Sequence, residues 1–384
     1  MKGLCFLVMF LLLPITVKAH EIAEGAAPFE KSEKCAECHA MIYEEWQSSM
    51  HALSSLHKDN AHKAVYEKRS AALLAKGESG NYMCAVCHMP MAENLTDLIA
   101  GSAQPDVNKW QESEGIGCAF CHRIEAVVEG EQFNHYKLNK DGAFGVSSPA
   151  EKASHKTIKS EMFGNGQVCM GCHSHLVNPK GASICVMKEE GQDNCITCHM
   201  PKTEGAPSAN SSKDSHLNHG ILGGHDAEML KKAVTIGGSV EAKGNTKTVS
   251  IIVSNTISHT FPSTNPMRMA FVKVTAVDKN GATVWENFKE SPMEDKQALF
   301  FKAFQGAGQA GVPSWEAEGT AFDTRLKAGE KRTLTYTLPK GEITTIKAVV
   351  IYRLFAPQAI EKMGIPKDGI NDNSYIVAQK ELIF

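Results

Sequence analysis

Five copies of the pattern Cys-x-x-Cys-His constrain this 384-residue chain more than any other feature. They hold ten of its twelve cysteines. The copies are Cys35/Cys38/His39, Cys84/Cys87/His88, Cys118/Cys121/His122, Cys169/Cys172/His173 and Cys195/Cys198/His199. In each copy the two thiols can bond to the two vinyl groups of one porphyrin, and the histidine can bind its iron. The pattern therefore predicts five covalently bound haems c, with these histidines as proximal ligands.

Zinc sites and disulfides also use pairs of cysteines, so they are the alternatives for this pattern. Zinc does not require a histidine after every second cysteine, whereas all five pairs here carry one. The pattern therefore favours haem over zinc or disulfides. Two cysteines lie outside it, Cys5 and Cys185, and we expect Cys185 to be a buried free thiol.

The five motifs lie close together, so porphyrins must supply much of the core around them. Their first cysteines are separated by 49, 34, 51 and 26 residues. Only 7 % of the residues are aromatic, which leaves few large side chains for an ordinary apolar core. We predict a mainly α-helical and loop domain packed around five haems over residues 20–200. A helix is predicted over residues 40–60, and residues 59–75 are its candidate continuation.

The first 19 residues have the parts of a signal peptide. Lys2 gives a positive start, residues 4–13 are apolar, and Ala19 is a small residue suited to cleavage before His20. The apolar run is about half as long as a membrane span requires. We therefore expect an exported protein with no membrane span after cleavage, and an uncleaved anchor is the alternative. Loss of the two lysines in this segment would change the net charge from −3 to −5, which argues against nucleic acid as a partner.

Alternating apolar and polar residues dominate the chain after about residue 245. Examples are residues 249–253, 272–276 and 334–338, separated by turn sequences such as Lys279-Asn280-Gly281. Period-two alternation between turns predicts strands. We therefore expect a multidomain protein in which an antiparallel, immunoglobulin-like β-sandwich over residues 245–384 follows the haem domain.

Residues 201–244 are predicted to connect the two domains. Residues 201–213 are rich in Pro, Gly, Ser and Asn, which is typical of a surface linker. A histidine-rich segment follows from His216, and Asp226 is a suitable N-cap for a short helix.

Each haem iron has two axial sites, and the motif histidine fills one of them. A second protein ligand favours an electron carrier, whereas an open site favours a catalyst or a gas binder. The histidines outside the motifs outnumber the five that complete ligation would need. They are His20, His51, His57, His62, His135, His155, His175, His216, His219, His225 and His259.

Several segments resemble the multihaem cytochromes related to the tetrahaem acceptor of hydroxylamine oxidoreductase. Residues 34–51, with the sequence KCAECHAMIYEEWQSSMH, resemble the first haem segment of that family. Residues 115–122 resemble its third, and Cys-His-Met-Pro, usual in that group, occurs at His88 and again at His199. The histidine-rich stretch from His216 resembles the one that follows the last haem in the larger, exported members.

The resemblance extends to the predicted β-domain. Residues 254–263 resemble the Gly-His-x-Phe-Pro-Thr-Gly loop that opens the C-terminal β-domain of that family. Two departures affect this loop: Ser258 replaces the first glycine, and Ser263-Thr264-Asn265 replaces Thr-Gly. The loop geometry is therefore expected to differ from that of the family.

The resemblance implies candidates for the distal iron ligands. His51 is the first, and it lies 12 residues past His39, about 18 Å along a helix, so it should bind a neighbouring haem. His259 occupies the loop position from which the family sends a ligand back to the haem domain. The remaining candidates are His155, His219 and His225.

The other histidines are weaker candidates. We expect His20, His57 and His62 to face solvent. His135, His175 and His216 rank below the five candidates. Within the motifs themselves no copy ends in lysine, the proximal residue typical of the ammonia-forming nitrite reductases that this layout resembles in haem number.

Two functions follow from these expectations. The first is a periplasmic or cell-surface electron carrier, in which closely spaced, mostly bis-histidine haems pass electrons between redox partners. Its partners would be a quinol-oxidising membrane cytochrome or a terminal reductase. Basic patches on these partners would bind the acidic chain.

The second function is an oxidoreductase with one open haem. Its substrate would be a small nitrogen or sulfur oxide such as nitrite, hydroxylamine or NO. A subunit that polymerises into a conducting filament is a third interpretation.

Overall fold

The computed structural model describes residues 19–24, 28–146, 153–187, 194–244 and 246–383. Residues 1–18 of the predicted signal peptide, with Cys5, lie outside these ranges. Within the described ranges no helix combines the length and the apolar character that a membrane crossing needs.

The half of the chain that carries the motifs is built from short helices, short strand pairs and loops. The helices are α1 (Ser32–Cys35), α2 (Ala40–Gln47), α3 (Asn60–Leu74), α4 (Ala85–His88), α5 (Leu95–Ala100), α6 (Trp110–Ser113), α7 (Cys118–Cys121), α8 (Met162–Asn165), α9 (Met170–His173), α10 (Cys195–His199), α11 (Ala227–Lys231) and α12 (Pro357–Met363). A short 3₁₀ turn, Gln167–Cys169, also belongs to this half of the chain. In contrast, α12 and the 3₁₀ turns Pro292–Glu294 and Lys296–Ala298 lie in the C-terminal region. Each motif has at least one cysteine in a helix, namely α1, α4, α7, α9 or α10. Helices α7 and α10 contain both cysteines of their motif, and residues three apart in a helix are neighbours on one face.

The strands are β1 (Glu21–Ile22), β2 (Ile124–Val128), β3 (His135–Leu138), β4 (Ala143–Gly145), β5 (Thr157–Lys159), β6 (His175–Val177), β7 (Ser183–Val186), β8 (Lys202–Glu204), β9 (Ser215–Leu217), β10 (Val234–Lys243), β11 (Thr246–Asn255), β12 (Met269–Val277), β13 (Thr283–Glu286), β14 (Leu299–Phe300), β15 (Lys302–Gly306), β16 (Gln309–Ala310), β17 (Gly319–Asp323), β18 (Lys331–Leu338), β19 (Thr345–Arg353) and β20 (Ser374–Ile383). Those before β10 form small sheets of two or three strands among the motifs. The longer strands form the C-terminal region.

The helix predicted over residues 40–60 is interrupted. α2 ends at Gln47 and α3 begins at Asn60, with turns between them. The Ser54 and Ser55 hydroxyls donate to the carbonyls of His88 and Glu112, at 3.1 and 2.6 Å. Such side-chain hydrogen bonds favour turns over helix. Asp59 then caps α3 by accepting from the backbone N–H groups of Ala61 and His62.

The C-terminal region is rich in antiparallel strands, as the alternation predicts. Besides a small sheet of order β16-β15-β17, it has two larger sheets, one of order β10-β11-β18 and one of order β13-β12-β19-β20, with β14 also paired to β12. Val249, Ile251 and Val253 of β11 share one core with Val272 and Val274 of β12, so the two sheets pack on each other. The finer immunoglobulin-like assignment stays a prediction.

The first long strand, β10, lies inside the predicted linker. Its sequence explains why the alternation did not predict this strand. Gly237 and Gly238 interrupt its alternation of apolar and polar residues, because glycine has no side chain. Glycine also weakens strands. A Cβ at Gly238 would lie 2.7 Å from the Ser250 carbonyl oxygen across the sheet. Close strand approach therefore requires glycine at this position. The short helix predicted after Asp226 is present as α11, with Asp226 accepting from the Met229 N–H.

Two polar side chains tie the strand-rich region to the half that carries the motifs. The Asn178 side-chain amide donates to the carbonyls of Ser314 and Ala317, each at 2.8 Å. The buried Lys302 ammonium donates to the carbonyls of Ser183 and Ile184, at 3.1 and 3.3 Å. These contacts hold the C-terminal loops against the motifs.

Gly171, between the two cysteines of the fourth motif, lies directly under the ring of Tyr136. A Cβ at Gly171 would lie 2.1 Å from Tyr136 Cζ. The ring is enclosed, because its hydroxyl donates to the Val168 carbonyl at 2.8 Å and its face packs against Phe120 and His20. This motif therefore needs glycine at its third position.

We expect Gly171→Ala to destabilise the protein by about 1–3 kcal/mol, since overpacking displaces a fixed ring. The change should lower the apparent melting temperature by several degrees. Gly164→Ala is the control, because Gly164 is exposed and a Cβ there meets nothing within 4 Å. Equal melting temperatures for Gly171→Ala and the wild type would contradict this account.

Candidate haem-binding sites

A connected cavity of about 3150 Å³ runs among the motifs and reaches the C-terminal loops. It is lined by all five motif histidines and by nine of the ten motif cysteines. Its volume is several times the roughly 300–1,000 Å³ of a pocket for one drug-sized ligand. The cavity therefore has the size and the lining that several porphyrins need.

Four motif histidines each face a histidine from elsewhere in the chain at nearly the same distance. These four ring pairs, with the distance between ring centres, are His39–His155 (6.3 Å), His51–His173 (6.2 Å), His122–His219 (6.3 Å) and His199–His259 (6.3 Å). An imidazole nitrogen lies about 2 Å from a metal it binds and roughly 1.1 Å from its ring centre, so two rings in trans on one metal have centres about 6.2 Å apart. The spacing of all four ring pairs fits one iron between the two rings.

Backbone carbonyls fix the orientation of most of these rings. The Nδ1 atoms of His39 and His122 face the carbonyls of Pro207 and Phe144, each at 2.6 Å. Nδ1 of His199 faces the Leu222 carbonyl in the same way. A carbonyl can only accept, so Nδ1 carries the proton and Nε2 is left to bind metal.

Burial keeps several of these imidazoles neutral. It lowers the pKa of His51 to about 3 and that of His219 to about 4. Burial also lowers the pKa of His122 and that of His173. Neutral imidazole is the form that binds metal, so these rings are ready to bind iron at neutral pH.

The second motif has a different arrangement. The ring centres of His88 and His62 are only 4.1 Å apart, about 2 Å too close to share a metal in trans. Nδ1 of each ring faces the same Ser54 carbonyl, at 3.0 and 3.1 Å. His62 therefore packs beside the Nδ1 edge of His88. Among the described residues, no histidine ring faces His88 at the spacing of the four ring pairs.

Two of the histidines expected to face solvent pack against motif residues instead. Nε2 of the buried His20 donates to the Val86 carbonyl at 2.8 Å, and Nδ1 accepts from the Tyr136 N–H. Burial lowers the pKa of His20 to about 4. His62 hydrogen-bonds to Ser54 and to the Tyr82 hydroxyl. The expectation of solvent exposure was wrong for both, because these contacts depend on tertiary structure.

The remaining histidines have other surroundings. Both ring nitrogens of His175 and of His216 are within hydrogen-bond distance of partners other than a motif ring. His225 lines the cavity, where burial lowers its pKa to about 4, but no motif ring lies within contact of it. Of the five distal candidates, the structure therefore places His51, His155, His219 and His259 opposite motif histidines, and not His225.

The chain is similar to known cytochromes. Residues 34–123 match the family model described as cytochrome c554 and c-prime. Cytochrome c-554 of Nitrosomonas europaea is 27 % identical over 166 residues, 41 % of this chain and 63 % of that protein, so the match spans less than two thirds of its length. The crystal structure of a penta-heme cytochrome c552 from Thermochromatium tepidum shares this fold, with a TM-score of 0.74 and 23 % identity over 92 % of this chain and 99 % of that chain.

The chain is a multihaem c-type cytochrome. The recognition made from the motifs is thereby confirmed at the level of this class, and covalently bound haem c is the cofactor that the class implies. The cysteines would hold it by thioether bonds and the motif histidines would bind its iron. The match over residues 34–123 includes the first three motifs.

In this multihaem cytochrome, contacts between cysteines show which sites adjoin. Cysteine side chains of different motifs lie close together in three places, Cys35 with Cys118, Cys87 with Cys172, and Cys169 with Cys195. Cys121 and Cys172 also lie within electrostatic range of each other. The first site therefore adjoins the third, the third adjoins the fourth, and the fourth adjoins both the second and the fifth.

Exposure differs along this series. Cys38, Cys84 and Cys198 are exposed, and the other seven motif cysteines are half-buried. Cys84 and Cys198 line the cavity, whereas Cys38 does not, so of these three cysteines only Cys38 places its site at the outer surface.

Proposed function

We propose that this multihaem cytochrome carries electrons through five covalently bound haems, four of them bound by two histidines each. The observation that supports the proposal is the common 6.2–6.3 Å spacing of the four ring pairs. When bound, haem supplies one-electron redox chemistry at its iron. Two imidazoles on one iron fill both axial positions, which favours electron transfer over binding of small molecules.

The four ring pairs support one assignment of the distal ligands. His155 would complete the first site, His219 the third, His51 the fourth and His259 the fifth. His51 follows the first motif in sequence, so this assignment agrees with the expectation that it binds a haem other than its own. His259 would link the strand-rich region to the fifth site.

The contacts between cysteines support a route from the first site through the third and fourth to the fifth. Cys38, at the first end of this route, is exposed and lies outside the cavity lining. Electrons would therefore enter or leave at the first site, and the fifth site would be the other end of the route. The second site, beside the fourth, would be a branch.

We further propose that the protein is exported, to the periplasm or the cell surface. Its redox partners would be a quinol-oxidising membrane cytochrome or a terminal reductase. Because the chain has a net charge of −3 before haem propionates are added, such partners would present basic patches to it.

The mature protein, without residues 1–19, should contain five haems and one thiol. Thioether bonds would use ten cysteines and leave Cys185. The measurement is thiol titration of the unfolded protein, together with haem quantitation after pyridine treatment. Cys185→Ser is the matched control and should reduce the thiol count to zero. A wild-type count of three or more thiols would contradict five attachment sites.

Replacing any one of His51, His155, His219 or His259 with Ala should convert one haem from low spin to high spin. The physical reason is the loss of one strong axial ligand from one iron. Electron paramagnetic resonance of the oxidised protein measures the change. His225→Ala is the control and should leave the spectrum as in the wild type. A spin change in His225→Ala, or none in the other four variants, would contradict the assignment.

The second motif supports a second candidate function, an oxidoreductase with one open haem. His88 has its nearest histidine, His62, on its Nδ1 edge, and none of the described histidines faces it in trans. Cys84 of this motif lines the cavity. The substrate would be a small nitrogen or sulfur oxide such as nitrite, hydroxylamine or NO.

An open second site predicts that the oxidised protein binds one cyanide per chain. The free axial position would accept cyanide, whereas positions filled by two imidazoles would not. Optical titration counts the bound cyanide, and nitrite and hydroxylamine are tested in the same way. A spectrum that none of the three changes would contradict this second function and leave the electron carrier.

A further inference from the structure

Glu45, in α2 of the first haem segment, binds the loop that carries His219. One carboxylate oxygen, Oε2, accepts from the backbone N–H of His219 at 2.8 Å. The other, Oε1, accepts from the side chains of His216 and Asn218, both at 3.1 Å. A single carboxylate thus forms hydrogen bonds with three residues of the four-residue stretch 216–219.

These contacts are shielded from water. The side chain of Glu45 is 20 % exposed and that of His216 is 2 % exposed. Nδ1 of His216 lies 2.8 Å from the Gly205 carbonyl, so both ring nitrogens lie against oxygen atoms and the orientation of the ring is fixed. Hydrogen bonds to an ionised carboxylate are stronger than neutral ones, and burial reduces competition from water.

Apart from Glu45, the backbone before His219 is held by the pairing of β9 with β8, and His219 and Asn218 make local contacts. Nδ1 of His219 faces the Leu217 carbonyl at 2.7 Å, which is a local contact within the loop. Asn218 uses its side-chain oxygen for the Gly220 N–H at 2.8 Å and its backbone N–H for the Pro201 carbonyl at 2.9 Å. Glu45 is the contact that fixes the backbone of His219 to a helix.

The same helix begins at the first haem motif. His39 is the N-cap of α2, and Glu45 lies on its second turn. Cys35 of this motif contacts Cys118 of the third. The side chain of Glu45 therefore connects the segment of the first site to the ligand that faces His122 at the third.

We propose that Glu45 is a positioning residue that holds His219 in trans to His122, so that the third haem stays low spin. The inference rests on the proposed function through the assignment of His219 to the third haem. Glu45 itself would not touch the iron. Its effect would pass through the backbone of His219, as with outer-shell groups that orient metal ligands.

The experiment compares the full-length mature protein with Glu45→Ala, Glu45→Gln, His219→Ala and Glu44→Ala. Electron paramagnetic resonance counts the high-spin haems, and a redox titration follows the midpoint potentials. With the second site as the one high-spin haem of the wild type, we expect Glu45→Ala to raise the high-spin signal about twofold, the same change as His219→Ala. Added imidazole should reverse it in both variants. Glu44→Ala, at the exposed neighbouring residue, should match the wild type.

Glu45→Gln keeps the shape of the side chain and an oxygen for His216 and Asn218, but places an N–H donor opposite the His219 N–H. We expect a smaller high-spin increase than in Glu45→Ala. If Glu45→Ala fails to mature with its haems, Glu45→Gln is the deciding variant. An increase in its high-spin signal supports the proposal, and a spectrum equal to that of the wild type overturns it.

The two levels of the argument can be separated. If His219→Ala leaves every haem as in the wild type, the ligand assignment fails and the proposed function is weakened at the third site. If His219→Ala converts one haem while both Glu45 variants keep the wild-type spin state and potentials, the ligand assignment stands and the positioning role of Glu45 is overturned.

Discussion

Each haem iron takes axial ligands on opposite faces of its porphyrin, so two histidines that share an iron must be held about 6 Å apart by ring centre. The four ring pairs meet this requirement between segments that are far apart in sequence, up to the 122 residues between His51 and His173. Each pair thus acts as a link across the fold. The short helices, small sheets and loops of this half of the chain have only to place the rings, because bound porphyrins would fill the space between them.

Features that depend on neighbouring residues could be predicted from the sequence, and features that depend on distant contacts could not. The motifs carry their own chemistry, and the alternation at residues 249–253 follows from a sheet with one buried face, so both were recognisable locally. The break in the helix between Gln47 and Asn60 depends on hydrogen bonds from Ser54 and Ser55 to distant carbonyls. Asp59 was the local signal for a new helix start. Strand β10, which begins at Val234, was not predicted because Gly237 and Gly238 interrupt its alternation.

Distal ligands are harder to predict, because they are defined by where a ring lies and not by its neighbours in sequence. His225 and His219 occur in one histidine-rich stretch, yet only His219 faces a motif ring. Glu45, which lies 174 residues away, accepts from the His219 backbone, a contact that no local sequence pattern would reveal. His62 shows the opposite case, since it reaches a motif ring but on the Nδ1 edge, which leaves the second site unlike the other four.

The most direct test of this account is the position of each iron, located by anomalous X-ray scattering in crystals of the mature protein. The account predicts five iron peaks. Four should lie midway between the rings of the four ring pairs, and the fifth should be bound by His88 with no second histidine. Iron peaks that lie away from the four pairs, or that use His225 or another histidine in place of their distal members, would contradict it.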